Sequence, residues 1–327
     1  MTSVVIHEVG LRDGLQVEKS TVPTAQKIAW VERLLDSKVD IIQLGSFVHR
    51  EKVPQMADTD ELFRAAQATI AARRAEAAPA GEGDAKRGEG GEHGSGPQFS
   101  GLVLNEKGLE RGLACGVRFF CMGVSASDTH SRKNTGMSTA EATERILGTA
   151  KAARDAGAFV QVSVQSAFGC GFEGVVPEDR VVGIARRFVE AGFTTISLAD
   201  TAGHGVPHQV ERLFAAVRAI DPAVQCACHL HDTYGFGLAN AYAALRAGVT
   251  YFEAAFAGIG GCPFTAVTGG NVCTEDLVHM FHRMGLATHV TLEPILDVAK
   301  SAAEVLGREL PGRTMKTGVI PRPCETA

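Results

Sequence analysis

The chain has 327 residues, 45% hydrophobic and 21% charged, with a formal net charge of −5 and a pI near 6.1. That composition excludes disordered and fibrous classes and leaves one large core or two small ones. The mild acidity gives no basic field for nucleic acid or anionic lipid, so neither is expected as a partner. No apolar run reaches the roughly 18 residues of a membrane helix, and Met1–Ile6 has no charged region ahead of an apolar stretch, so the expected location is cytoplasmic, off the membrane. Eight cysteines (115, 121, 170, 226, 228, 262, 273 and 324) form no CxxC pair in a chain this long. They read as buried thiols, with only Cys262 singled out by its neighbours and the role of Cys324 left open.

In chain order, β-branched runs alternate with amphipathic or Ala-rich stretches, the pattern of βαβ units on a parallel sheet. The expected strands are Val4–Val9, Val39–Leu44, Phe99–Leu104, Val117–Val124, Phe159–Gln165, Thr194–Leu198, Val224–His231 and Thr250–Phe256. Expected helices include Ala140–Ala156, Pro177–Ala191, Pro207–Ile220 and, near the C-terminus, roughly Leu292–Leu306. Between the second and third runs, within about residues 76–98, the stretch Pro79–Pro97 is nearly all Gly, charge and small polar residues. It carries too little apolar surface to offset its own ordering entropy and reads as a flexible insertion in which His93 is no ligand.

Eight units predict an α/β fold, a closed (β/α)8 TIM barrel. An open doubly wound sheet would place a Gly-rich phosphate turn after its first strand, and here that turn is the charged Gly10-Leu11-Arg12-Asp13-Gly14. The expected organisation is a catalytic barrel over residues 1–285 and a C-terminal helix and tail over 286–327 packed on it. With the insertion set aside, the length leaves no room for a second domain.

Barrel chemistry gathers where strands end on their βα loops. Those positions hold Arg12 and Asp13, Gln43 and Ser46, Asp200 and Thr201, His229 to Asp232, and Gly260-Gly261-Cys262-Pro263 with Asn271. His229 and His231, two apart on a strand, project from one face and can share one ion or serve as hydrogen-bonded barrel residues. In a closed barrel the first strand neighbours the eighth, which brings Asp13 in as an anionic ligand and Asn271 as a neutral oxygen. Arg12 suits a developing enolate or carboxylate oxygen. Cys262, on a Gly-rich turn, reads either as a thiol brought over a ligand or as a structural loop cysteine. Asp200 reads either as a group that positions ligand, water or Arg12, or as a cap for the turn ahead of Gly203.

At these residues the chain resembles the 3-hydroxy-3-methylglutaryl-CoA lyases, of the metal-dependent barrel family that also holds isopropylmalate and homocitrate synthases. The motifs are His7–Gln16, Ser46-Phe47-Val48 with Val53–Met56, Ser197–Thr201, His229–Gly235, and Gly258–Pro263 with Gly270-Asn271 and Thr274–Leu277. The resemblance implies Asp13, His229, His231 and Asn271 as ligands of Mg2+ or Mn2+. It further implies Arg12 as the enolate-stabilising cation, Cys262 as the loop acid/base and Asp200 as a nearby polar catalytic group. The implied reaction is retro-Claisen cleavage of a 3-hydroxyacyl-CoA thioester, with Arg12, Gln43, Ser46, Thr201, Lys19 and Asn134 expected to contact substrate. A homo-oligomer, dimer or tetramer, is expected, and His229 would move a proton only if ligation left one of its nitrogens free.

The chain departs from the family at Gln43, where the resemblance leads one to expect a glutamate holding Arg12. The neutral amide turns an ionic contact into a neutral hydrogen bond, so the acyl-CoA lyase class is a firmer expectation than the substrate 3-hydroxy-3-methylglutaryl-CoA. A citramalyl-type thioester is the alternative. A condensing synthase would add an accessory region after the barrel, an amidohydrolase would carry its HxH on the first strand, and a non-catalytic barrel is suggested by Gln43 alone.

Overall fold

Short runs rich in Val, Ile and Phe are buried on both faces and form eight parallel strands in the computed structural model, which describes residues 4–77, 97–261, 269–286 and 289–321. They are β1 (Val5–Glu8), β2 (Ile41–Ser46), β3 (Gln98–Leu102), β4 (Phe119–Ser125), β5 (Phe159–Gln165), β6 (Thr195–Asp200), β7 (Gln225–Leu230) and β8 (Tyr251–Ala254). β8 pairs back onto β1 through Val5–Tyr251 to Glu8–Ala254, closing the (β/α)8 TIM barrel that the sequence predicts. The observed strands match the expected runs to within about two residues at each end. β1 is the instructive difference: it stops at Glu8 because residues 10–14 wind into a single π turn, with the N–H groups of Asp13 and Gly14 donating to Val9 O at 2.8 and 3.3 Å.

The helices of eight residues or more are α1 (Thr24–Ser37), α2 (Thr59–Ala77), α3 (Glu106–Ala114), α4 (Asp128–Thr135), α5 (Thr139–Asp155), α6 (Glu178–Glu190), α7 (Pro207–Arg218), α8 (Gly237–Arg246), α9 (Thr274–Arg283) and α10 (Leu292–Leu306). Their starts follow from capping chemistry. Ser138 and Glu141 form a reciprocal capping box before α5, and the Asn105 and Ser127 side chains accept N–H groups at the heads of α3 and α4. The Gly-rich stretch expected to interrupt the barrel falls between α2 and β3, and residues 78–96 lie outside the described residues, as do Cys262 and Cys324.

α10 has the bounds read from sequence and buries Ile295, Val298, Ala299 and Ala302. Its partner is α1, where Trp30 Nε1 donates to Ser301 Oγ at 3.0 Å and the Trp30 ring stands 5.5 Å from that of Phe256. Phe256 belongs to the turn after β8, so the C-terminal helix backs the segment that leads into the mouth of the barrel.

Two buried carboxylates fasten that mouth. Glu8 Oε1 accepts the N–H groups of Gly10 at 2.7 Å and Phe256 at 3.1 Å, and its Oε2 accepts the Thr274 hydroxyl at 2.6 Å. Glu275 Oε2 accepts Ala257 N–H at 3.0 Å. These bonds draw the first and eighth βα loops so close that a Cβ on Gly10 would lie 2.5 Å from the Phe256 ring, and one on Gly14 2.4 Å from Ile259. Burial outweighs the hydrogen bonds and lifts Glu8 to about 7 and Glu275 to about 8, from 4.5.

A carboxyl with a raised folded value binds its proton more readily when folded. Stability is therefore full below about pH 4.5 and is lost as pH rises through 7 to 8. Glu275→Gln removes one of these two titrations. It is expected to leave urea-unfolding stability at about pH 5 unchanged and to raise it at about pH 8 by on the order of 2 kcal/mol relative to wild type. Parallel pH profiles for the two proteins would refute the assignment.

Candidate active site

The π turn after β1 carries Arg12 and Asp13 into the mouth, while β7 supplies His229 and the position just beyond it supplies His231. Both imidazoles face the same way, as their spacing requires, and their Nε2 atoms stand 3.1 Å apart. Asp13 Oδ2 lies 3.6 Å from each, and the ligating atoms of the three side chains all fall within 4.8 Å of one another, the only such group among the described residues. Asn271 arrives on a return segment stitched antiparallel to the end of β7 through a His231–Asn271 bridge, with Asp232 N donating to Gly270 O at 2.9 Å and Val272 N to Leu230 O at 3.0 Å. Its Nδ2 donates to Asp13 Oδ2 at 2.9 Å and to Ile259 O at 3.0 Å. Its Oδ1 is buried without a partner.

The donor set fits a divalent cation: one carboxylate and two imidazoles converge on one point, and Asn271, bonded to that carboxylate through Nδ2, keeps a buried, unsatisfied amide oxygen. A feature that sequence reading missed strengthens the fit. Glu253, paired in register with His229 across β7 and β8, accepts from His229 Nδ1 at 2.9 Å, from Gln161 Nε2 at 2.6 Å and from Ser197 Oγ at 2.9 Å. A carboxylate on Nδ1 fixes the ring and leaves Nε2 to ligate. Burial works against every charge here, yet ionic neighbours prevail. Arg12 and His229 hold Asp13 well below the usual carboxylate range, His229 brings Glu253 down to about 2, and Asp13 and Glu253 lift His229 to about 9. The signal for Glu253 was present in the sequence: a lone acid inside a strand otherwise buried demands a partner.

Arg12 is 11% exposed, donating through Nη1 to Asp13 Oδ1 and through Nε to Gln43 Oε1. Gln43 thus meets Arg12 where a glutamate was expected, and its Nε2 is buried with no oxygen partner. The buried Cys121 thiol beside it is pushed up to about 12 by burial and by Glu253 and stays protonated. Arg12, Gln43, His229 and His231 line a cavity of about 140 Å³ at the C-terminal end of the strands.

Of the remaining expected residues, Asn134 and Thr201 line this cavity, Thr201 also accepting Ser166 N–H through Oγ1 at 2.9 Å. Asp200 and Ser46 do not line it. Asp200 is fully buried, its two oxygens accepting the N–H groups of His204 and Gly205 at 2.9 Å each, so it acts as the turn cap and makes no hydrogen bond with Arg12. Ser46, the last residue of β2, is likewise fully buried. Lys19 lies in a neighbouring cleft against the C-terminal segment, beside Arg308 and Asn271. Cys262 lies outside the described residues.

Residues 3–301 match the family model described as HMGL-like. The chain is 35% identical over 313 residues to a hydroxymethylglutaryl-CoA lyase of Bacillus subtilis, covering 96% of each chain. It is 37% identical over 320 residues to the (R)-citramalyl-CoA lyase of Chloroflexus aurantiacus, covering 98% of this chain and 96% of that one. A solved HMG-CoA lyase of Acinetobacter baumannii, in complex with coenzyme A and 3-methylmalate, superposes with a TM-score of 0.84 at 30% identity, covering 98% of each chain.

The Glu253 contact generates a direct test. Glu253→Gln should keep the far-UV spectrum and lose about 10- to 100-fold in Mn2+ affinity by isothermal titration, the range expected when a partner of a ligating histidine is removed. Unchanged affinity would show that His229 is held by other means.

Proposed function

The chain belongs to the HMGL-like family and is a carbon–carbon lyase, and we propose that it cleaves a 3-hydroxyacyl-CoA by retro-Claisen chemistry, with 3-hydroxy-3-methylglutaryl-CoA giving acetyl-CoA and acetoacetate. The observation that carries this reading is the convergence of Asp13, His229 and His231 within 4.8 Å, next to Arg12 at the barrel mouth. Mg2+ or Mn2+ held by these three residues and Asn271 would act as a Lewis acid on the substrate hydroxyl and carboxylate oxygens.

The reaction removes the proton of the C3 hydroxyl, breaks the C2–C3 bond with its electron pair passing to C2, and forms a carbonyl at C3. The resulting enolate carries its charge on the thioester oxygen until a proton returns to C2. Arg12 is the fixed cation placed to hold that oxygen. His229 orients and ligates, and its Nδ1, occupied by Glu253, is not free to move a proton. Cys262 remains the family-implied acid, and Asp200 acts at one remove by fixing the turn that contains Thr201. The cavity admits the acyl end of the thioester alone, so the nucleotide end lies outside it, where Asn134 at the rim and Lys19 in the adjoining cleft are offered as contacts.

A citramalyl-type thioester is a second reading, favoured by Gln43 at the position where the resemblance expects a glutamate, and by the similarity to the Chloroflexus enzyme. The six described cysteines are all free and buried, and no helix among the described residues is long and apolar enough to cross a membrane, which supports a cytoplasmic setting. Exposed Tyr234, Phe236 and Tyr242, on α8 and the turn before it, support a dimer or tetramer.

With Mn2+ and a thiol reductant, purified protein is expected to release acetyl-CoA from 3-hydroxy-3-methylglutaryl-CoA or citramalyl-CoA, the co-product being acetoacetate or pyruvate by chromatography. His231→Ala should reduce turnover by at least about 100-fold. No acetyl-CoA from either thioester, with bound metal demonstrated, would sink the reading.

A further inference from the structure

We propose that Gln43 makes Arg12 a competitor of the divalent cation for Asp13, so that metal and anionic substrate bind this protein cooperatively. The inference rests on the reading of Asp13, His229, His231 and Asn271 as a metal site. Arg12 divides its fork between two oxygens of unequal charge: Nε meets the neutral amide of Gln43, and Nη1 meets the carboxylate of Asp13. A carboxylate at position 43 would give the guanidinium a counter-ion of its own. The amide does not, and Arg12 draws its ionic partner from the metal cluster.

Asp13 therefore has both oxygens engaged, Oδ1 by Arg12 and Oδ2 by Asn271 Nδ2 at 2.9 Å, with both imidazole Nε2 atoms at 3.6 Å. These side chains are almost entirely buried, Arg12 and Asp13 being 11% and 18% exposed, so water screens the rivalry poorly. A dication at this carboxylate weakens the hold of Arg12 on it and repels the guanidinium. An oxyanion that engages Arg12, such as the substrate carboxylate or the thioester enolate oxygen, supplies the missing counter-ion and leaves Asp13 to the metal. Linkage requires the reverse as well: the cation raises affinity for the anion by the same factor.

The test is Mn2+ binding by the full chain without substrate, measured by isothermal titration and by the electron-spin resonance signal of free Mn2+. Gln43→Glu is expected to tighten binding by about fivefold or more when Arg12 is present and by less than about twofold in an Arg12→Gln background. Gln43→Ala, which removes the acceptor for Nε, is expected to weaken binding. Circular dichroism checks that each variant is folded. An equal gain from Gln43→Glu in both backgrounds would reveal simple addition of negative charge and overturn the competition, and so would no gain at all. Wild type that binds no Mn2+, or His231→Ala that binds it as tightly as wild type, would instead remove the metal site on which the inference stands.

Discussion

Two carboxylates enclosed by protein, Asp13 and Glu253, set the terms for the whole mouth of the barrel. Each would cost several kcal/mol if buried without a partner, and each is satisfied by cations that are themselves almost out of water. Glu253 takes His229, Gln161 and Ser197, and Asp13 takes Arg12 and Asn271 with both imidazoles close by. Removal of one member leaves a charge uncompensated, so the residues of the site also bear on its stability.

The charges come from segments far apart in sequence, and the fold spends specific interactions on bringing them together. Asp13 and Asn271 are separated by 258 positions and meet because β8 closes onto β1 and because the return segment is pinned to the end of β7. Glu8 and Glu275 complete this assembly from below by accepting backbone N–H groups of the two facing loops. Their raised pKa values are the counterpart of that service: a carboxylate placed to hold backbone in an apolar setting resists ionisation. α10 supports the same segment from outside through the contact of Trp30 with Phe256.

The barrel and the cluster of Asp13, His229 and His231 were legible because they leave local signatures: β-branched runs at regular spacing, an HxH pair on a strand, a charged turn where a phosphate turn would otherwise stand. What stayed hidden depends on contacts between strands. A buried acid in a strand calls for a partner, but which partner Glu253 takes is fixed by the β7–β8 register that sets it against His229, and not by its neighbours in sequence. The buried positions of Asp200 and Ser46 have a related cause. Both end strands at the correct face, but the direction of a side chain there depends on the turn that follows, and in one case the turn uses the carboxylate as its cap. The charged turn makes Arg12 legible in sequence, whereas its division between Gln43 and Asp13 depends on how β1 and β2 lie side by side.

The charge balance of the cluster gives the neutral residue at position 43 its consequence. Asp13, Glu253, Arg12 and a protonated His229 sum to zero, a balance suited to a site out of water. A dication that takes the place of the His229 proton adds two positive charges for one lost, and the cluster then carries a single net positive charge. A glutamate at position 43 would cancel it within the protein. Gln43 leaves it standing, and in a poorly screened cavity such a charge is neutralised most effectively by the ligand itself. On the proposed metal site, the acyl end of a thioester bearing one carboxylate would meet that requirement, so an amide at position 43 would leave part of the site's electrostatic completion to the substrate.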